Sequence, residues 1–241
     1  MAISINTLRN TVLFVLNKAN RGFIGVDEFN SFVNLAQIDI FENLFFEYTN
    51  ALNKKNKRMT NSEYADIPKN IREQIDIFST YTNLTFDIPS GLWVYTGNDL
   101  YRAENLSLVN AQGKKIDIEE VGKSELNRIQ NSDMISPSLT FPAYTRVNSG
   151  FKIAPTIPSG YSVEMFYIRK PKDVKWTYIT LPSGNPSYNG SAPDKQDCEL
   201  HESLFSKLVT KVLLYCGLSI SSQEVEQIAN SEEMKLAQKQ S

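Results

Sequence analysis

From Val26 to about Asn53 the chain runs without a glycine or a proline, and Phe29, Phe32, Val33, Ala36, Ile40, Phe41, Leu44, Phe45, Tyr48 and Leu52 recur at helical spacing. At about 1.5 Å per residue this predicts a helix about 40 Å long. Its apolar stripe is too broad for one contact, so it has to pack against more than one neighbour.

The flanking segments supply those neighbours. Residues 4–19 place Ile5, Leu8, Val12, Val15, Leu16 and Ala19 on one helical side, with Ser4 as the expected cap. "NKKNKRMTNSEYADIP" reads as a polar, basic loop, followed by a shorter helix with Pro68 near its start and Ile71, Ile75 and Phe78 on its buried side. Beyond Ser79, short alternating runs such as "LWVYT", "KIDIEEV" and "SVEMFYIRK" are punctuated by glycine and proline, which predicts antiparallel strands over 82–180 with one small helix near Ser124 to Gln130. Residues 181–196 read as a flexible connector.

Helical periodicity returns at Leu204, Phe205, Leu208, Val212 and Tyr215, with Gly217 as the expected stop. A last helix opens on the capping box Ser221-x-x-Glu224 and carries a thin apolar face of Val225, Ile228, Ala229 and Leu236. The expectation is an α+β fold: a helical body built from 1–81 and 197–241, with 82–180 inserted as an antiparallel β lobe and 181–196 as the connector. No internal repeat is evident.

At 241 residues, 41% hydrophobic and 22% charged, the chain can bury a real core and is not a disordered polymer. A net charge of -2 argues against a protein whose main task is gripping phosphates. The longest apolar run near the start, Val12 to Leu16, is too short for a secretory core or a membrane span, so a soluble product is expected, with no membrane partner. Cys198 and Cys216 fall at opposite ends of one predicted helix, too far apart to bridge, and reduced thiols are expected.

Residue chemistry narrows function further. In Asn17 to Phe29, taking Gly22 as the turn glycine of a calcium loop puts Ile24 and Glu28 where that loop wants a hydrophobe and a carboxylate. The remaining ligand positions hold Asn17, Ala19 and Arg21, and Arg21 would repel the ion by about 4 kcal/mol per unit charge at about 4 Å and an effective dielectric of about 20. A helix turn accounts for the same letters, with Asp27 and Glu28 favourably placed in the first turn of the next helix.

His201, the sole histidine, has neither a nucleophile elbow nor a Cys-His signature around it, and Cys198 with His201 falls short of a zinc set. Glu119 and Glu120 are adjacent on a strand and point to opposite faces; Asp194 and Asp197 read as a solvated edge. No phosphate-binding glycine motif occurs. No catalytic residue, cofactor or metal is therefore assigned. The basic cluster Lys54, Lys55, Lys57 and Arg58 reads either as a contact for DNA or an acidic partner, or as a solvated loop tip.

Five segments, "MAISINT", "RGFIGVDEFNSFVNLAQIDIFE", "YADIPKNIREQIDIF", "YIRKPKDVKW" and "DCELHESLFSKLVTKVLLYCGLSI", together resemble virion structural proteins of tailed bacteriophages. The resemblance is to ring-like head-to-tail connector components of crAss-like and related short-tailed phages, and it covers most of the chain in order. It departs at Glu202, where many such proteins carry proline after the histidine.

The resemblance implies a non-enzymatic subunit of a cyclic homo-oligomer, a dodecamer in expectation, made in the host cytoplasm and lodged in the virion. It would stack against the portal protein and adjacent tail rings around passing duplex DNA. Val225, Ile228 and Leu236 are the expected contact with a neighbouring subunit. Competing expectations are a tail-tube or nozzle component, a tail-borne hydrolase, and a calcium-binding module.

Overall fold

A computed structural model describes residues 2–18, 24–58, 67–132, 134–148 and 150–219, leaving aside the side chains of 18, 55–58, 218 and 219. The chain forms two compact units, Met1–Ile77 with Pro171–Ser241, and Phe78–Lys170. Residues 171–180, read from the sequence as the end of the β region, thus belong with the helices.

In the first unit, strand β1 (Ala2–Ile3) leads into α1 (Ile5–Lys18), α2 (Val26–Arg58) and α3 (Ile67–Asp76). α1 buries Ile5, Leu8, Val12 and Leu16, whereas Val15, expected on that side, is exposed. Its first N–H, on Ile5, donates to Asp197 Oδ1 at 3.0 Å, so a distant carboxylate caps the helix where Ser4 was expected to. α2 is longer than its sequence pattern suggests: its 33 residues continue to Arg58, into the stretch expected to be loop. Lysine and arginine favour helix and suit a helix C-terminus, and the binary pattern alone misses that. Phe29, Val33, Ala36, Ile40, Phe41 and Leu44 form the buried side of α2.

The second unit begins with β2 (Ser79–Asn83) and β3 (Thr85–Asp87), followed by β4 (Leu92–Val94), β5 (Leu100–Val109), β6 (Lys115–Glu120), α4 (Lys123–Gln130), β7 (Ala143–Val147), β8 (Gly150–Ala154) and β9 (Ser162–Arg169). The strands hydrogen-bond in the order β2-β9-β5-β6-β7-β8-β4-β3. Only Leu84 separates β2 from β3, and its N–H donates to Val163 O at 2.8 Å, so the two ends of this ladder are one nearly continuous strand. The sheet therefore closes on itself as a small barrel.

Its interior is filled by Leu84, Ala103, Leu106, Leu108, Ile118, Tyr144, Phe151, Val163, Met165 and Tyr167. Closure brings β8 against β4 so tightly that a Cβ on Gly150 would lie 2.4 Å from Trp93 O. One pair departs from the antiparallel expectation: β6 and β7 run parallel, joined by the α4 crossover, whose Leu126 packs on Ala143 and Ala154.

After Lys170 the chain returns to the helices. β10 (Tyr178–Thr180), at the end of the stretch expected to be strands, and β11 (Pro186–Tyr188), inside the stretch expected to be a connector, form a hairpin. Its base is fixed by Trp176, stacked on Tyr178 at 5.9 Å and on Tyr188 at 5.8 Å. β12 (Cys198–His201) then pairs antiparallel with β1. The sequence reading starts a helix here, but Cys198 and Leu200 are buried while Glu199 and His201 are only half-buried, the period of two that defines a strand. α5 (Phe205–Ser219) follows a 3-10 turn and runs through the expected stop at Gly217, which is buried. An interior glycine costs a helix only about 1 kcal/mol, and the packing of Leu208, Val212 and Cys216 outweighs it. Lys211 pairs with Asp39 at 2.7 Å and Lys207 with Glu47, which sets α5 antiparallel to α2.

The returning chain is held on α2 by side-chain amides. Asn34 Oδ1 accepts from Val174 N at 2.6 Å and Asn34 Nδ2 donates to Val174 O at 3.2 Å. Asn30 does the same for Trp176, at 2.9 and 3.4 Å. Gln37 Nε2 donates to Lys172 O at 2.8 Å. Replacing Asn34 by Ala removes both bonds to Val174 and leaves a partly buried N–H and C=O unpaired, so thermal or urea unfolding is expected to show a loss of about 2 kcal/mol. Glu73→Ala, on the exposed side of α3 and outside both apolar patches, is expected to stay within about 0.5 kcal/mol. Equal effects of the two substitutions would refute the role given to Asn34.

Candidate interaction surfaces

The polar residues singled out in the sequence are engaged in holding the fold. Glu28, the calcium-loop carboxylate, accepts from Gly25 N at 3.1 Å and so caps the start of α2; the loop residues 19–23 lie outside the described residues. His201 Nδ1 accepts from Ser203 N at 3.2 Å and starts the 3-10 turn before α5. Glu120 pairs with Arg146 Nε at 3.0 Å and accepts from the Tyr144 hydroxyl at 3.1 Å. Burial, opposed by Arg146, pushes the Tyr144 hydroxyl above its usual range. Asp194 pairs with Lys175 at 2.7 Å and Asp197 with Lys195 at 2.8 Å. Arg9, 6% exposed, has its guanidinium 4.0 Å from the Trp176 ring centre, and burial lowers its pKa.

Among the described residues, no group of three or more His, Cys, Asp or Glu could hold a metal ion, and no helix is long and apolar enough to cross a membrane. Lys54 is exposed near the end of α2; the side chains of Lys55, Lys57 and Arg58 lie outside the described residues. Val225, Ile228 and Leu236 also lie outside them.

Two apolar surfaces stand out instead. Along α2, Leu35, Ile38 and Phe46 form an exposed strip around Glu42, separate from the buried side of the helix, and Phe46 is 68% exposed. Between Asp27 and Thr49 this helix carries Asp27, Glu28, Asp39, Glu42 and Glu47 and no lysine or arginine. Lys211 and Lys207 cover two of those charges; Glu42 stays in the middle of the strip.

In the second unit, the chain between α4 and β7 exposes Met134 (94%), Ile135 and Phe141 (79%). This knob is built: Ser138 and Phe141 exchange backbone hydrogen bonds at 3.2 and 3.1 Å, and Leu139 between them packs on the barrel core. The exposed strip of α2 was missed by the sequence reading, whose stripe contains none of Leu35, Ile38 and Phe46. The sequence reading missed the knob, although large apolar residues flanked by Pro137 and Pro142 in a polar stretch are its signal.

No protein-family model matches the sequence, and no curated protein matches it.

Cys198 and Cys216 are both buried free thiols whose pKa burial pushes up to about 12. A thiol raised in the folded state contributes stability that is intact below its unfolded value near 9 and is lost as pH climbs toward about 12. Stability is therefore expected to fall through that alkaline window, and a thiol reagent at pH 8 to label the protein only after denaturation. Rapid labelling of either cysteine in the native protein would contradict this burial.

Proposed function

We propose that the chain is a structural subunit of a phage head-to-tail connector, forming a ring around the DNA passage between the portal protein and the tail. The observation that carries this reading is the pair of uncovered apolar surfaces, the α2 strip and the Met134–Phe141 knob. They occupy different compact units of one chain. Soluble monomers seldom leave large apolar side chains clustered on ordered elements, and such clusters mark interfaces. A ring needs two different faces on each copy, repeated by a rotation that closes.

Two further facts support the reading. Four of the five segments that resemble phage connector proteins fall in the first unit, on β1, α1, α2, α3, β12 and α5, and the fifth, "YIRKPKDVKW", contains the chain held by the α2 amides. The near-neutral charge suits a conduit, because a strongly basic lining would retain duplex DNA that has to pass.

The test is sedimentation of the purified protein over a wide concentration range. The expected outcome is a discrete closed oligomer many times the 27.3 kDa subunit, with its midpoint shifted to higher concentration by Phe46→Ser. A strictly monomeric protein at every concentration would overturn the reading.

A further inference from the structure

We infer that the Met134–Phe141 knob of one copy seats on the Leu35–Phe46 strip of α2 in the next copy. The inference rests on the ring reading and names the contact that would build it. Each patch exposes three large apolar side chains, on the order of 400 Å² of apolar surface, taking about 200 Å² for each fully exposed side chain. That is the apolar centre expected of a standard interface of about 800 Å² per partner, and neither patch alone makes one.

The shapes correspond. The Phe141 end of the knob is a hydrogen-bonded turn, and its mate is a helix side whose three apolar residues span three turns. The charges correspond as well. Glu42 sits within the strip, with no lysine or arginine on this helix between Asp27 and Thr49, while α4, which leads into the knob, exposes Lys123; its Arg128 is shared with Glu125 at 3.8 Å. Knob-to-knob pairing would be isologous and would stop at two copies; knob-to-strip pairing leaves one free face of each kind and extends until the ring closes.

Mixed single-cysteine variants test this in the full chain. Thr140→Cys places a thiol beside the knob and Ser31→Cys places one a turn from Leu35 on the strip, while Cys198 and Cys216 remain buried. Because each chain carries only one of the new thiols, a short bis-maleimide can join Thr140→Cys to Ser31→Cys only between copies. The expected result is a cross-linked pair, reduced at least ten-fold when Phe141→Ser is added, and absent when Lys114→Cys replaces Thr140→Cys.

A Thr140→Cys and Ser31→Cys mixture that links no better than the Lys114→Cys control overturns the contact. If such a mixture also sediments as closed oligomers, assembly stands and only this contact falls. If the pair links while the wild-type chain never exceeds a dimer, the contact stands and the ring falls.

Discussion

The side-chain amides of α2 take the place of a neighbouring strand for the chain that returns from the barrel. Four residues of helix rise about 6 Å, and two residues of an extended chain advance about 6.6 Å, so asparagines four apart can meet every second peptide group of a segment laid along the helix. Asn30 and Asn34 do so at Trp176 and Val174, each giving a donor and an acceptor; the longer Gln37, only three residues on, reaches Lys172 O. The residues after Val174 take their positions from this attachment. Trp176 receives Arg9 on its ring and donates a hydrogen bond from its Nε1 to Asn6, its stacking fixes the hairpin, and Asp197 then reaches the start of α1. Without these amides the buried N–H and C=O groups of 172–176 would have to find partners that a smooth apolar helix cannot offer.

The barrel solves a different problem. A sheet with open edges recruits other strands through its backbone, with little control over register or partner. Running β2 into β3 across Leu84 removes both edges of the ladder, and the close approach at Gly150 and Trp93 shows how little slack the closure leaves. In the proposed assembly, adhesion in this unit falls to side chains set on its outside. The Phe141 end of the knob is held by its own turn and by Leu139, so little conformational entropy would be lost there on being covered.

Much of this fold can be read in the letters. The helical period from Val26, the shorter helix after Pro68, the small helix near Ser124 and the change to strands after Ser79 all appear where local pattern predicts them, because in each the apolar spacing alone decides the conformation. The features that escaped depend on contacts distant in sequence. "CELH" is too short for its period to register until β1 arrives to pair with it. The apparent connector at 181–196 has few large apolar residues of its own and is ordered by Trp176, outside it. Parallel pairing of β6 with β7 comes from the α4 crossover, which strand patterns do not encode. At the surfaces, Leu35, Ile38 and Phe46 lie outside the stripe read from α2, and the knob resembles an ordinary proline-bounded loop until the exposure of its side chains is known.

The proposed ring requires that surface left apolar after one copy has folded be covered by further copies arranged around an axis. Electron-microscopic imaging of the purified protein in its native state addresses it most directly. Closed rings of one fixed copy number are expected, with the α2 strip of each subunit facing its neighbour. Fields of single particles the size of one chain, or open filaments without closure, would contradict it.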